Sequence, residues 1–122
     1  MLVMLIRGGN DMVKRRGRLS GLKMRAGDRF KRIGVIGVDS GQVVVTDPSY
    51  IGAKNGIPSY DNISKVSLAG KNQLKNKTGI KLAVVSSSGL GDGVYPVYAV
   101  TGKAGKFGDR VKALVVDFEV DK

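Results

Sequence analysis

Apolar residues along this chain fall in short β-branched runs separated by glycine, aspartate and proline, the spacing of strands and tight turns. Five runs are strand-like: "IGVIGV" (33–38), "QVVVTD" (42–47), "IKLAVVS" (80–86), "VYPVYAV" (94–100) and "VKALVVDFEV" (111–120). "DSG" (39–41) has the length of a tight hairpin between the first two, and "TGKAGKFGD" (101–109) makes a longer loop between the last two. In the last run Leu114, Val116, Phe118 and Val120 share one face, which reads as the core face. Pro96 lacks a backbone donor, so it predicts a sheet edge or a bulge in the fourth run.

The middle, 51–79, is less patterned. "NISKVSL" admits a strand, and "SLAGKNQLKNKTG" admits one or two helical turns ending at Gly79. The expected fold is mainly β: a small antiparallel barrel or two-layer sandwich of five to seven strands, with room for one short helix in the middle.

The N-terminal third reads differently. "MLVMLI" is too short for a membrane-spanning helix and has no basic residue before it, so neither a span nor a signal peptide is read. Arg-Gly-Gly shortly before Met12 can be encoded by a purine-rich run of the kind that precedes a start codon, which makes 1–11 a candidate mis-called extension. "VKRRGRLSGLKMRAGDRFKR" (13–32) is strongly basic; a helix around 19–26 would be interrupted by Gly21 and Gly27, and a flexible arm is the preferred reading. The domain expectation is therefore a basic arm over 1–32 and a single β-rich domain over 33–122.

Composition narrows the chemistry. A chain of 122 residues, 42% hydrophobic, can build one core, and with four tyrosines, three phenylalanines and no tryptophan that core rests on Val, Ile and Leu. Eighteen glycines suit short strands and tight turns. The absence of cysteine excludes disulfides, thiol nucleophiles and thiolate zinc sites, and the absence of histidine removes His-based triads and metal sites. Any catalysis would rely on Asp, Glu119, Lys, Tyr or Ser.

The net charge of +11 is unevenly placed: residues 1–32 hold ten Lys/Arg against Asp11 and Asp28, while 33–122 hold eleven against eight acidic residues. A basic arm on a nearly balanced body suits contact with a polyanion.

The order "GVDSGQVVVTDPSYI", "GLGDGVYPVYAV", "DRVKALVVDF" resembles a family of small bacterial and phage proteins known only as a domain of unknown function. The matching positions are Ser40, Gly41, Asp47 and Pro48, then Gly93, Tyr95, Pro96 and Val97, then Arg110 and Val111. The resemblance spans roughly 33–120; it implies an all-β body and carries no activity, and the arm lies outside it.

The strongest functional signal is the arm itself. Lys14, Arg15, Arg16, Arg18, Lys23, Arg25, Arg29, Lys31 and Arg32 are its candidate nucleic-acid contacts, and Phe30, Tyr95 and Tyr98 are candidate platforms for bases. Tyr95 and Tyr98, three apart in one strand, point to opposite faces, so at least one belongs to the core. Asp39, Asp47 and Asp92, with Asp109, are weak metal candidates, because aspartate also satisfies turn backbones. "SSSGLGDG" (86–93) and "TGKAGKFG" (101–108) resemble phosphate loops but lack the Gly-Lys-Ser/Thr ending.

The leading expectation is a non-enzymatic nucleic-acid-associated module with no cofactor, cytoplasmic or virion-associated. The alternatives are a structural or assembly protein with strand-mediated self-association, and a metal-dependent hydrolase using the Asp-rich turns.

Overall fold

Glycine and aspartate corners divide the chain into nine described strand segments. The computed structural model describes residues 25–57 and 59–120, together with the backbone of 3–4, 18–19 and 22–23. The strands are β1 (Val3–Met4), β2 (Arg18–Leu19), β3 (Leu22–Lys23), β4 (Arg29–Val38), β5 (Gln42–Thr46), β6 (Gln73–Lys75), β7 (Lys81–Ser87), β8 (Gly93–Lys103) and β9 (Asp109–Val116). One α-helix, α1 (Tyr60–Leu68), and two short 3₁₀ turns, Pro48–Tyr50 and Gly105–Phe107, complete them. The protein is mainly β. Its sheets run β1-β9-β8-β4, β5-β7-β6 and β2-β3, and among the described strands none closes into a barrel. No helix among the described residues is long and apolar enough to cross a membrane.

The chain divides into two compact units, residues 1–37 with 93–122, and residues 38–92. In the first unit, β8 and β9 pair antiparallel, Tyr98 opposite Val115 and Val100 opposite Ala113. Opposed residues share a face, and Val100, Ala113 and Val115 on that face are fully buried. This corrects the face expected for the last run. Ala113 and Val115 lead the buried side, Leu114 and Val116 are half-buried, and Val120 is exposed. The strand ends at Val116; beyond it Phe118 turns back and packs edge-on against Tyr95, ring centroids 5.3 Å apart. Tyr95 is buried, as one of the two tyrosines had to be.

Between Val100 and Thr101 the β8–β9 register shifts. Val100 opposes Ala113 and Thr101 opposes Val111, so Lys112 is the extra residue of a β-bulge. The bulge expected at Pro96 therefore lies four residues later. β8 is not an edge either, having β9 on one side and β4 on the other. Pro96 is tolerated because its pairing with β9 starts only at Val97, and its carbonyl accepts from the Asp117 N–H.

The second unit is built on β7, which pairs antiparallel with β5 (Val44 opposite Val85) and with β6 (Leu74 opposite Ala83). Leu74, Leu82, Ala83 and Val85 form its core, with Val44, Tyr50, Ile57, Ile63 and Val66 packed against them. Ile63 and Val66 come from α1, where the sequence admitted a strand. Local chemistry decides the difference. Ser59 caps the helix by accepting from the Asn62 N–H at 3.4 Å, and Asp61 lies in the first turn. At the far end Lys71 N–H donates to Val66 and Gly70 N–H to Ser67, both at 3.1 Å, with Gly70 at φ +71. That is a Schellman ending, and the left-handed residue it needs is glycine. The residues given to helical turns, "QLK", instead make β6.

Asp39-Ser40-Gly41 joins strands of different sheets and is not a hairpin. Arg29 to Arg32, assigned to the arm, are the first residues of β4. Within the arm, Arg18 pairs with Lys23 and Leu19 with Leu22, an antiparallel ladder where a helix around 19–26 was the alternative.

Candidate nucleic-acid interface

The root of the arm is a four-residue turn. Asp28 N–H donates to the Arg25 carbonyl at 3.1 Å, and Gly27 takes φ +92, the left-handed value that the third position of such a turn requires. The Asp28 carboxylate reaches back to accept from the Arg25 N–H at 2.8 Å. The same oxygen accepts from Lys112 Nζ at 2.6 Å, across 84 residues of sequence. The bulge re-aims Lys112 away from the strict strand alternation. The pair is largely enclosed, the side chains being 17% and 5% exposed.

Gly102 explains why the carboxylate fits. A Cβ built there would collide with the Asp28 carboxylate and would lie 3.1 Å from Lys112 Cδ. The position is held by glycine for space. Burial by itself pushes the Asp28 carboxyl up, but the hydrogen bonds from Lys112 and the Arg25 N–H, with the charges of both residues, outweigh it and hold the carboxyl below its usual value.

This turn forms one wall of an open cleft of about 540 Å³ whose lining includes Arg25, Asp28, Arg29, Lys103 and Asp109. Arg29 Nη2 lies 3.2 Å from Asp109 Oδ2, an exposed pair. Asp28 and Asp109 are thus committed to Lys112 and Arg29, whereas no ion pair ties Arg25 or Lys103 to another described residue. Both are exposed. The β8–β9 loop carries Lys106, whose ammonium sits 5.4 Å from the Phe107 ring centroid, and Arg110 follows Asp109 at the start of β9. Phe107 is 62% exposed.

Of the arm residues singled out, Arg25 and Arg29 line the cleft, and Lys31 and Arg32 follow on β4, all exposed. Lys14, Arg15 and Arg16 lie outside the described residues, as do the side chains of Arg18 and Lys23. Density of charge along the sequence does not point to Lys103, which joins Arg25 and Arg29 only through the fold. The three proposed base platforms are occupied within the chain. Tyr95 is buried, and Phe30 stacks on Tyr98 at 4.6 Å and 20° between planes.

The aspartate corners have structural work. Asp47 caps the first 3₁₀ turn, accepting from the Ser49 N–H at 2.9 Å. The two Gly-Asp corners meet: Ser88 N–H donates to the Gly41 carbonyl at 3.0 Å, and a Cβ on Gly41 would lie 3.9 Å from Asp92 Oδ1. Ser88 is fully buried, and its hydroxyl donates to the Gly91 carbonyl at 2.7 Å. Asp39 leads into this corner, and Asp109 serves Arg29. Among the described residues, no three acidic side chains gather where they could hold a metal ion.

Compared with protein-family models, curated proteins and solved structures, the chain matches none.

Proposed function

We propose that this protein is a non-enzymatic nucleic-acid-associated module, and that the cleft at the arm's root is where the sugar–phosphate backbone meets the folded body. The observation that carries the reading is the convergence of Arg25 and Arg29 with Lys103, nearly eighty residues away in sequence, at one open cleft. The carboxylates there form their ion pairs with Lys112 and Arg29; Arg25, whose charge also acts on Asp28, and Lys103 are exposed to meet an incoming anion.

Charge over the two units supports it. Residues 1–37 with 93–122 hold fifteen Lys/Arg against six acidic residues, and 38–92 hold six lysines against four aspartates. A phosphate backbone is attracted to the first far more than to the second, mainly through counterion release. Phe107, exposed beside Lys106, offers an aromatic face next to the cations, the pairing that single-strand binders use.

The test is fluorescence anisotropy of the full chain with labelled single- and double-stranded RNA and DNA at low and high salt. Arg25→Gln/Lys103→Gln is compared with Lys65→Gln/Lys71→Gln, a neutralisation of equal size in the second unit. The expected result is salt-sensitive binding weakened by the first pair and little changed by the second. Equal effects would reduce the binding to net charge, and no binding at low salt would remove the reading.

A further inference from the structure

Among the described strands, β4 is the longest that lies at a sheet edge. It is ten residues long and forms one edge of its sheet, with β8 on its inner side. No backbone hydrogen bond from 29–37 to a described residue outside the sheet covers its other side. Alternation puts Arg29, Lys31, Ile33 and Val35 on one face, and all four are exposed, Ile33 by 57% and Val35 by 49%. A Cβ at Gly34 or Gly37 would meet nothing within 4 Å. Edge strands are usually blunted by proline, by an inward charge or by brevity. Here the charges sit in the first four positions and "IGVIGV" follows without interruption.

We propose that β4 pairs with β4 of a second copy of this chain, antiparallel and centred on Gly34. The strand is self-complementary about Gly34, which fits a second copy as the occupant, and its charge pattern selects the direction. Parallel pairing would set Arg29, Lys31 and Arg32 against themselves, and like charges directly opposite are destabilising. Antiparallel pairing centred on Gly34 sets Arg32 against Ile36 and Lys31 against Gly37, so no cation faces a cation. It also sets Ile33 against Val35 twice, which shields part of the exposed apolar pair on each copy from water. One surface meets its own copy around a two-fold axis, so the contact closes at a dimer. The two sheets then continue as one across the junction. The inference is independent of nucleic-acid binding and has the opposite salt dependence. Two copies each carrying +11 repel, and salt screens that repulsion.

The protein has no cysteine, so a single introduced thiol reports the register. Gly34→Cys places two thiols directly opposite each other at the two-fold axis, and the space at Gly34 is open. Nucleic acid is first removed by a high-salt wash. Sedimentation velocity across protein concentration and salt should then show a species of twice 12.9 kDa that grows with both. Val35→Lys, at a position already half exposed, should abolish it while leaving the far-UV spectrum and melting unchanged. Mild oxidation of Gly34→Cys should yield a disulfide-linked dimer, and Leu68→Cys, also exposed on α1, should remain monomeric. A chain monomeric at every concentration, a dimer that Val35→Lys leaves intact, or equal cross-linking at Gly34 and Leu68 would overturn the proposal.

Discussion

Asp28 and Lys112 form the contact on which the arm's root depends. Removing the ammonium with Lys112→Met leaves a nearly buried carboxylate without its main partner, which should cost about 1–3 kcal/mol in urea unfolding. Gly102→Ala should lower stability as well, because its methyl group occupies the carboxylate's place. A melt of Gly102→Ala matching the wild type would contradict this packing. The lowered pKa sets a pH signature. A carboxyl that titrates lower in the folded than in the unfolded chain adds stability above its unfolded value, and that stability is lost as pH falls through the folded value. The gap in stability between wild type and Asp28→Asn should therefore be widest near neutral pH and close below about pH 4. A gap independent of pH would mean that Asp28 acts only through its shape. None of this was legible in the sequence: Asp28 looks like one acid in a basic run, and Lys112 like the outward residue of a regular strand. Only the one-residue bulge brings them together.

At the scale of elements, strands were legible where β-branched residues ran between turn formers, and all five such runs contain one. Helix α1 was not, because "NISKVSL" carries only Ile63 and Val66 at helical spacing and both are β-branched. Its identity is held by its ends, Ser59 at the start and Gly70 after the finish, and by the core cluster under Ile63 and Val66. Replacing the cap, Ser59→Ala, should cost about 1 kcal/mol. Gly70→Ala should cost about as much through left-handed strain. Circular dichroism and chemical unfolding of the two variants check both; a Gly70→Ala protein as stable as the wild type would contradict the Schellman ending. The buried face of β9 is hidden in the sequence for a different reason. Phe118 continues the alternation of Leu114 and Val116 in the sequence but lies beyond the strand's end, so the pattern favours their face over that of Ala113 and Val115.

At the scale of the whole molecule, the charge asymmetry seen along the sequence becomes an asymmetry between units, and the cleft gives it a location. The N-terminal cations are readable from density alone, while Lys103 needs the β8–β9 hairpin to bring it to the arm's root. The most direct test of the account is the slope of log binding constant against log salt for a single-stranded oligonucleotide. Each phosphate neutralised by a cation contributes about one unit to that slope or a little less. The wild type should show a steep negative slope, made shallower by about one unit in Arg25→Gln and again in Lys103→Gln. A slope near zero, or one that neither substitution changes, would contradict it.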